Sequence, residues 1–181
     1  NTGNILRYNS IINALGCKMS HLGEFMTPFY SWGIYLDDWA SDVTVFGNLI
    51  VGNVCGGVNM HGGWDNLIEN NIMVNGADRQ MSLSPIFSDL TSDTLRDNVI
   101  RRNVVAYTKT DALFIWCRPN RWYPEILKEC DHNLYWCMAD FDIESPDLDY
   151  LMPVGNLQAW RETGFDRNTI VADPCFTDPD H

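Results

Sequence analysis

Positive charge is scarce in this chain. Its 181 residues carry 12 lysines and arginines against 24 aspartates and glutamates, a formal net charge of −12, and the lysines are Lys18, Lys109 and Lys128 alone. A surface of that sign argues against nucleic acid or an anionic membrane as partner, and disfavours a strongly polyanionic substrate unless basic side chains gather locally. No apolar run approaches the roughly 18 residues of a membrane span, and no signal peptide is visible. The six cysteines, at 17, 55, 117, 130, 137 and 175, include no Cys-x-x-Cys pair, so a zinc site is not expected. An even count leaves disulfides open for an exported protein, but cysteines scattered singly pack well inside short β-strands, and buried free thiols are the expected state.

What the chain does have is a repeat. Gly33-Ile34-Tyr35-Leu36-Asp37-Asp38 returns as Gly57-Val58-Asn59-Met60-His61-Gly62, as Gln80-Met81-Ser82-Leu83-Ser84-Pro85 and as Ala112-Leu113-Phe114-Ile115-Trp116-Cys117, in steps of 24, 23 and 32 residues. A second pattern, an asparagine followed by apolar residues, recurs at Asn48, Asn71 and Asn103, each nine residues before the next strand start. The distance from strand start to asparagine varies instead, as 15, 14 and 23 residues. One tight turn of constant length and one variable loop per repeat is the behaviour of a solenoid. Asparagine suits such a turn because it tolerates left-handed backbone and its amide can hydrogen-bond from repeat to repeat.

Coils of about 22 residues with two or three short strands predict an all-β chain, a parallel β-helix. Through the Asn-centred repeats, over residues 4–140, the chain resembles the pectate-lyase-like proteins, which implies a right-handed parallel β-helix. Among them it is similar to bacterial β-helical glycoside hydrolases that include fucosidases and xylanases. That resemblance implies a secreted or periplasmic protein acting on a plant or algal polysaccharide, with no cofactor, or with Ca²⁺ if it is a lyase. The chain is expected to be a single domain over 1–181. Regular coils run over about 4–140, an irregular, acid-rich excursion and a short helix over 138–165, and a late coil over 166–181. Asn156 to Gly164 predicts that helix, stopped by glycine. The ending Asp173-Pro174-Cys175-Phe176-Thr177-Asp178-Pro179 resembles the late coils of the same proteins. Because the chain starts inside a repeat and stops abruptly, it reads as a fragment of a longer one lacking its caps; its oligomeric state is not legible.

Alternation within the four strands separates two faces. Ile34/Leu36, Val58/Met60, Met81/Leu83 and Leu113/Ile115 are expected to point inward, Tyr35/Asp37, Asn59/His61, Ser82/Ser84 and Phe114/Trp116 outward. With neighbouring coils about 4.8 Å apart, Asp37 and His61 sit side by side, with Ser84 next and Trp116 beyond. The catalytic candidates are Asp37, Asp38, His61 and Asp78, since a glycosidase needs two carboxyls flanking the scissile bond. Asp37 and Asp78, two coils and about 9–10 Å apart, lean towards inversion. Substrate would be held by Tyr35, Asn59 and Trp116, by Arg118, Arg121 and Trp122 in a wall at 116–132, and by His21 and Glu24 in the loop before the first strand.

Two other functions stay open. A polysaccharide lyase acting on a uronate-containing glycan needs a base and a neutraliser, for which Asp89, Asp93 and Asp97 are a calcium candidate. A non-catalytic glycan-binding or tailspike-like β-helix would use the aromatic rungs alone, the acids being merely solvated. Oligosaccharide or polysaccharide is the expected partner in every case.

Overall fold

The computed structural model describes residues 2–86, 94–118, 120–139 and 141–177. It is mostly β, and its three main sheets are parallel throughout. The five-stranded sheet runs Ile5–Arg7, Thr44–Phe46, Leu67–Glu69, Asn98–Arg101, Leu127–Asp131. The six-stranded sheet runs Ser10–Ile12, Leu49–Val51, Ile72–Val74, Val104–Tyr107, Leu134–Cys137, Ile170–Val171. The four-stranded sheet, which carries the site, runs Trp32–Leu36, Gly56–His61, Arg79–Ser84, Leu113–Cys117. From Trp32 to Cys137 the chain visits the four-, five- and six-stranded sheets in turn, and each new strand pairs parallel with the one laid down on the pass before.

Strands this short cannot hold themselves, and their stability comes from the interior between the sheets. Val45, Ile50, Ile68, Met73, Met60, Met81, Leu83, Ile100 and Val105 are all fully buried, each contributing about 1.5–3 kcal/mol of apolar burial. Cys117, Cys130 and Cys137 lie inside with them as free thiols, whereas Cys17 and Cys175 are exposed. Burial pushes the Cys117 thiol up to about 12, which leaves it inert at neutral pH.

The corner between the five- and six-stranded sheets is two residues long and is closed by an asparagine ladder. The backbone N–H and Nδ2 of Asn48 both donate to Asn71 Oδ1, at 3.0 and 2.9 Å. Asn71 does the same to Asn103, at 3.0 and 3.1 Å. The ladder is longer than expected: Asn9 donates to Asn48, and Asn103 to Asn133, whose N–H ends on the Thr169 hydroxyl. A parallel rung links Asn66 to Asn98 at the other corner. The left-handed backbone falls one residue earlier than expected, at Tyr8, Gly47, Asn70, Arg102 and His132. The ladder asparagines therefore serve by hydrogen bonding, and the residue before each makes the bend.

The segment before Trp32 holds a small hairpin, Lys18–Met19 with Phe25–Met26. The helix forms at Leu157–Glu162, where the Asn156 side chain caps it by accepting from Ala159 N–H at 2.8 Å. It is followed by Gly164 at φ +109°. No helix among the described residues is long and apolar enough to cross a membrane.

Candidate functional site

The site lies on the outer face of the four-stranded sheet, and register decides its composition. Ile34, Val58, Met81 and Ile115 align, as do Leu36 with Met60 and Leu83 with Cys117. The fourth strand thus sits two residues away from the expected alignment, because the Thr108–Asp111 turn holds two extra residues. A slip of two preserves the faces, so alternation alone could not detect it. Its consequence is that Trp116 stands level with Ser82, Asn59 and Tyr35, and Arg118 follows Ser84, His61 and Asp37. Phe114, expected outside, is fully buried and stacks on Tyr135 at 4.5 Å. It occupies the column of Gly33, Gly57 and Gln80, which also faces inward: a Cβ on Gly33 would lie 2.3 Å from Ile50.

Two consecutive inward residues in each strand, as at Gly33 and Ile34, break the period of two. Upstream of that break the outward residues are Trp32 and Arg79. Both line the groove with Tyr30, and pure alternation from residue 34 onward misses them.

At the downstream end of the strands three functional groups meet. His61 Nδ1 lies 3.1 Å from Asp37 Oδ1 and 3.2 Å from Asp38 Oδ1. With Asp37 as the carboxylate, which only accepts, Nδ1 is the donor to it and Nε2 is the ring nitrogen left for substrate. Asp38 adopts φ +34°, which turns its carboxylate back beside that of its neighbour. Gly62 and Gly63, at φ +74° and +94°, let the neighbouring passes come close: a Cβ on Gly63 would lie 2.0 Å from the Ala40 carbonyl oxygen of the pass before, and one on Gly62 2.5 Å from Ile86 of the pass after. One oxygen of each aspartate and one histidine nitrogen all fall within 4.8 Å of one another. These three could equally hold a divalent cation.

Upstream runs an open groove of about 380 Å³ lined by aromatic rings, small polar side chains and two arginines. Asp78 accepts from Arg79 Nε at 2.8 Å and from Arg79 Nη2, and the same guanidinium lies 4.2 Å over the Trp116 ring. On the groove floor Ser84 donates to Asn59 Oδ1 at 3.1 Å and shares a hydrogen bond with Ser82 at 3.0 Å. Two buried donors, Asn59 Nδ2 and Trp32 Nε1, have no hydrogen-bond partner among the described residues. Asn59 Nδ2 neighbours the Tyr35 phenol without closing a hydrogen bond of normal geometry. Burial, reinforced by the adjoining Tyr30 and the charge of Asp37, pushes the Tyr35 phenol well above its ordinary range, so it stays protonated.

The other candidates divide sharply. Asp78 is not beside Asp37. Arg79 N–H bonds Cys55 C=O, whereas Asp37 follows Leu36, which pairs with Met60. Six residues of strand, about 20 Å, therefore separate Asp78 from the level of His61. Two aspartate side chains cannot close that to the roughly 5–9.5 Å of a glycosidase pair. Trp122 packs against Trp160 at 4.9 Å and Phe165 at 6.0 Å, joining the core rather than a wall. Arg121 is not part of the groove lining. His21 and Glu24 are exposed at the hairpin turn, where the Glu24 carbonyl accepts from Ser20 N–H; neither lines the groove. Asp97 bonds Arg96, while Asp89, Asp93 and Asp178 lie outside the described residues.

Comparison with protein-family models, with curated proteins and with solved structures finds no match for this chain.

Proposed function

We propose that the chain is a polysaccharide-degrading glycoside hydrolase whose three parallel sheets are the faces of a right-handed parallel β-helix of the pectate-lyase-like kind. The cyclic order of strands among the sheets and the continuous asparagine ladder support that fold. The observation that carries the function is the meeting of Asp37, Asp38 and His61 at the end of a groove floored by hydroxyls, amides and aromatic rings. Such a groove suits a hydroxyl-rich chain, and export is the setting in which such a substrate is met.

The chemistry follows from the spacing. With Asp78 displaced, the working pair is Asp37 and Asp38, whose closeness fits the short, retaining separation rather than the inverting one. One carboxyl gives its proton to the glycosidic oxygen as the C–O bond breaks. The other, as carboxylate, forms a bond to the anomeric carbon. Water then displaces the carboxylate, and the first carboxylate takes the water's proton. His61 Nδ1–H, donating to the Asp37 carboxylate and 3.2 Å from Asp38, holds the pair in place. Asp78, paired with Arg79 over Trp116, belongs to substrate binding.

A lyase is the second reading. It is favoured by Arg79 and Arg118 in the groove, which could meet a uronate carboxylate while His61 Nε2 removes a proton. Incubation with xylan, fucoidan, homogalacturonan and alginate separates the two. A hydrolase gives new reducing ends without ultraviolet absorbance, whereas a lyase gives an unsaturated, absorbing product. Binding without either product would leave a glycan-binding β-helix.

A further inference from the structure

We infer that the carboxylate–histidine centre lies inside a cleft that continues past it over Trp39 and Trp64, so that the protein cuts within a glycan rather than at its end. This rests on the glycan reading above. The groove already described approaches the centre from one side only, through Trp32, Tyr35 and Trp116. On the other side the chain turns directly from Asp38 into Trp39, which is 42% exposed. Its ring meets that of Trp64 edge-on at 6.3 Å. Arg96 lies 5.4 Å over Trp64, just as Arg79 lies 4.2 Å over Trp116 on the first side. Each flank of the acids thus carries a tryptophan topped by a guanidinium, a combination that stacks on a sugar ring and donates to its hydroxyls.

Packing does not explain Trp39. Neither it nor Trp64 belongs to the hydrophobic core or packs against it. Trp39 also has φ +64°, a left-handed backbone that a bulky residue adopts only at a cost. The surroundings enforce it: the buried Ser41 hydroxyl donates to Trp39 C=O at 2.9 Å and accepts from Trp64 N–H at 3.1 Å. A strained aromatic, held outward beside two carboxylates and doing nothing for the core, is placed for a ligand.

The strain supplies a clean variant. Glycine adopts φ +64° without penalty, so Trp39→Gly removes the ring without unfolding the turn, and its melting temperature is expected to be no lower than wild type. Affinity electrophoresis in gels containing xylan, fucoidan, homogalacturonan or alginate gives the binding, and product sizing over time gives the mode of cleavage. With the polysaccharide that retards the wild-type protein, Trp39→Gly is expected to bind about three- to ten-fold more weakly. Trp39→Tyr is expected to restore most of that loss. Early wild-type products are expected to be oligosaccharides of mixed length, and the variant's to shift in size. Unchanged retardation and an unchanged product profile in Trp39→Gly, or wild-type release of a single small sugar from the first time point, overturns the two-sided cleft alone. Wild-type protein unretarded in all four gels overturns the glycan reading beneath it.

Discussion

Glu69 sits on the outer face of the five-stranded sheet between two guanidiniums, bonding Arg101 Nε at 2.9 Å and Arg102 Nη1 at 2.6 Å. Burial pushes its carboxyl up, but the two arginines outweigh burial and hold it below its ordinary 4.5. A carboxyl depressed in the folded state stabilises the fold above its unfolded value, and that contribution is lost as pH falls through the folded value. Melting temperature is therefore expected to drop as pH is lowered from 4.5, and Glu69→Gln is expected to flatten part of that drop. A variant with the wild-type slope would show that the arginines do not hold the carboxyl down. At this scale the sequence was informative for Asp37, Asp38 and His61, because strand ends mark themselves by alternation and glycines. It was silent on Trp32 and Arg79, since one break in the period of two hides everything upstream of it.

The elements owe their alignment to the corner. Each ladder asparagine ties its own backbone and side chain to the next, and Asn71 also donates to Val45 C=O at 2.9 Å. Asn71→Ala would leave the buried Asn48 N–H without its acceptor and break the ladder midway. A loss of about 1–2 kcal/mol in chemical denaturation is expected; an unchanged midpoint would make the ladder incidental. The ladder was legible as three asparagines at one spacing. Residues 4–12 around Asn9 also read as the asparagine-turn half of a first coil, but the end at Asn133 was not legible, because the strand start that would have framed it lies outside the repeat. The fourth site strand was misaligned for a related reason. Counting nine residues from Asn103 ignores the two added in the Thr108–Asp111 turn, and only side-chain volume, Phe114 filling the column of two glycines, distinguishes the registers.

Over the whole molecule, parallel stacking turns sequence distance into position along a groove. Residues on successive passes meet when their registers agree, so Asp37, Asp38 and His61 converge although 24 residues separate Asp37 from His61. Asp78, only 17 residues beyond His61, lands at the other end. Counting coils gave the distance across the sheet and left out the distance along the strand, which is why Asp78 looked like a catalytic partner. The two ends are expected to have different tasks, chemistry at the carboxylate pair and substrate holding at Asp78, Arg79 and Trp116. Steady-state kinetics on Asp37→Asn and Asp78→Asn test this most directly. Asp37→Asn is expected to lower kcat by roughly 10²–10⁴-fold with little change in KM, and Asp78→Asn to raise KM while kcat stays near wild type. Full turnover in Asp37→Asn, or an equal collapse of kcat in both variants, would contradict the placement of the catalytic centre.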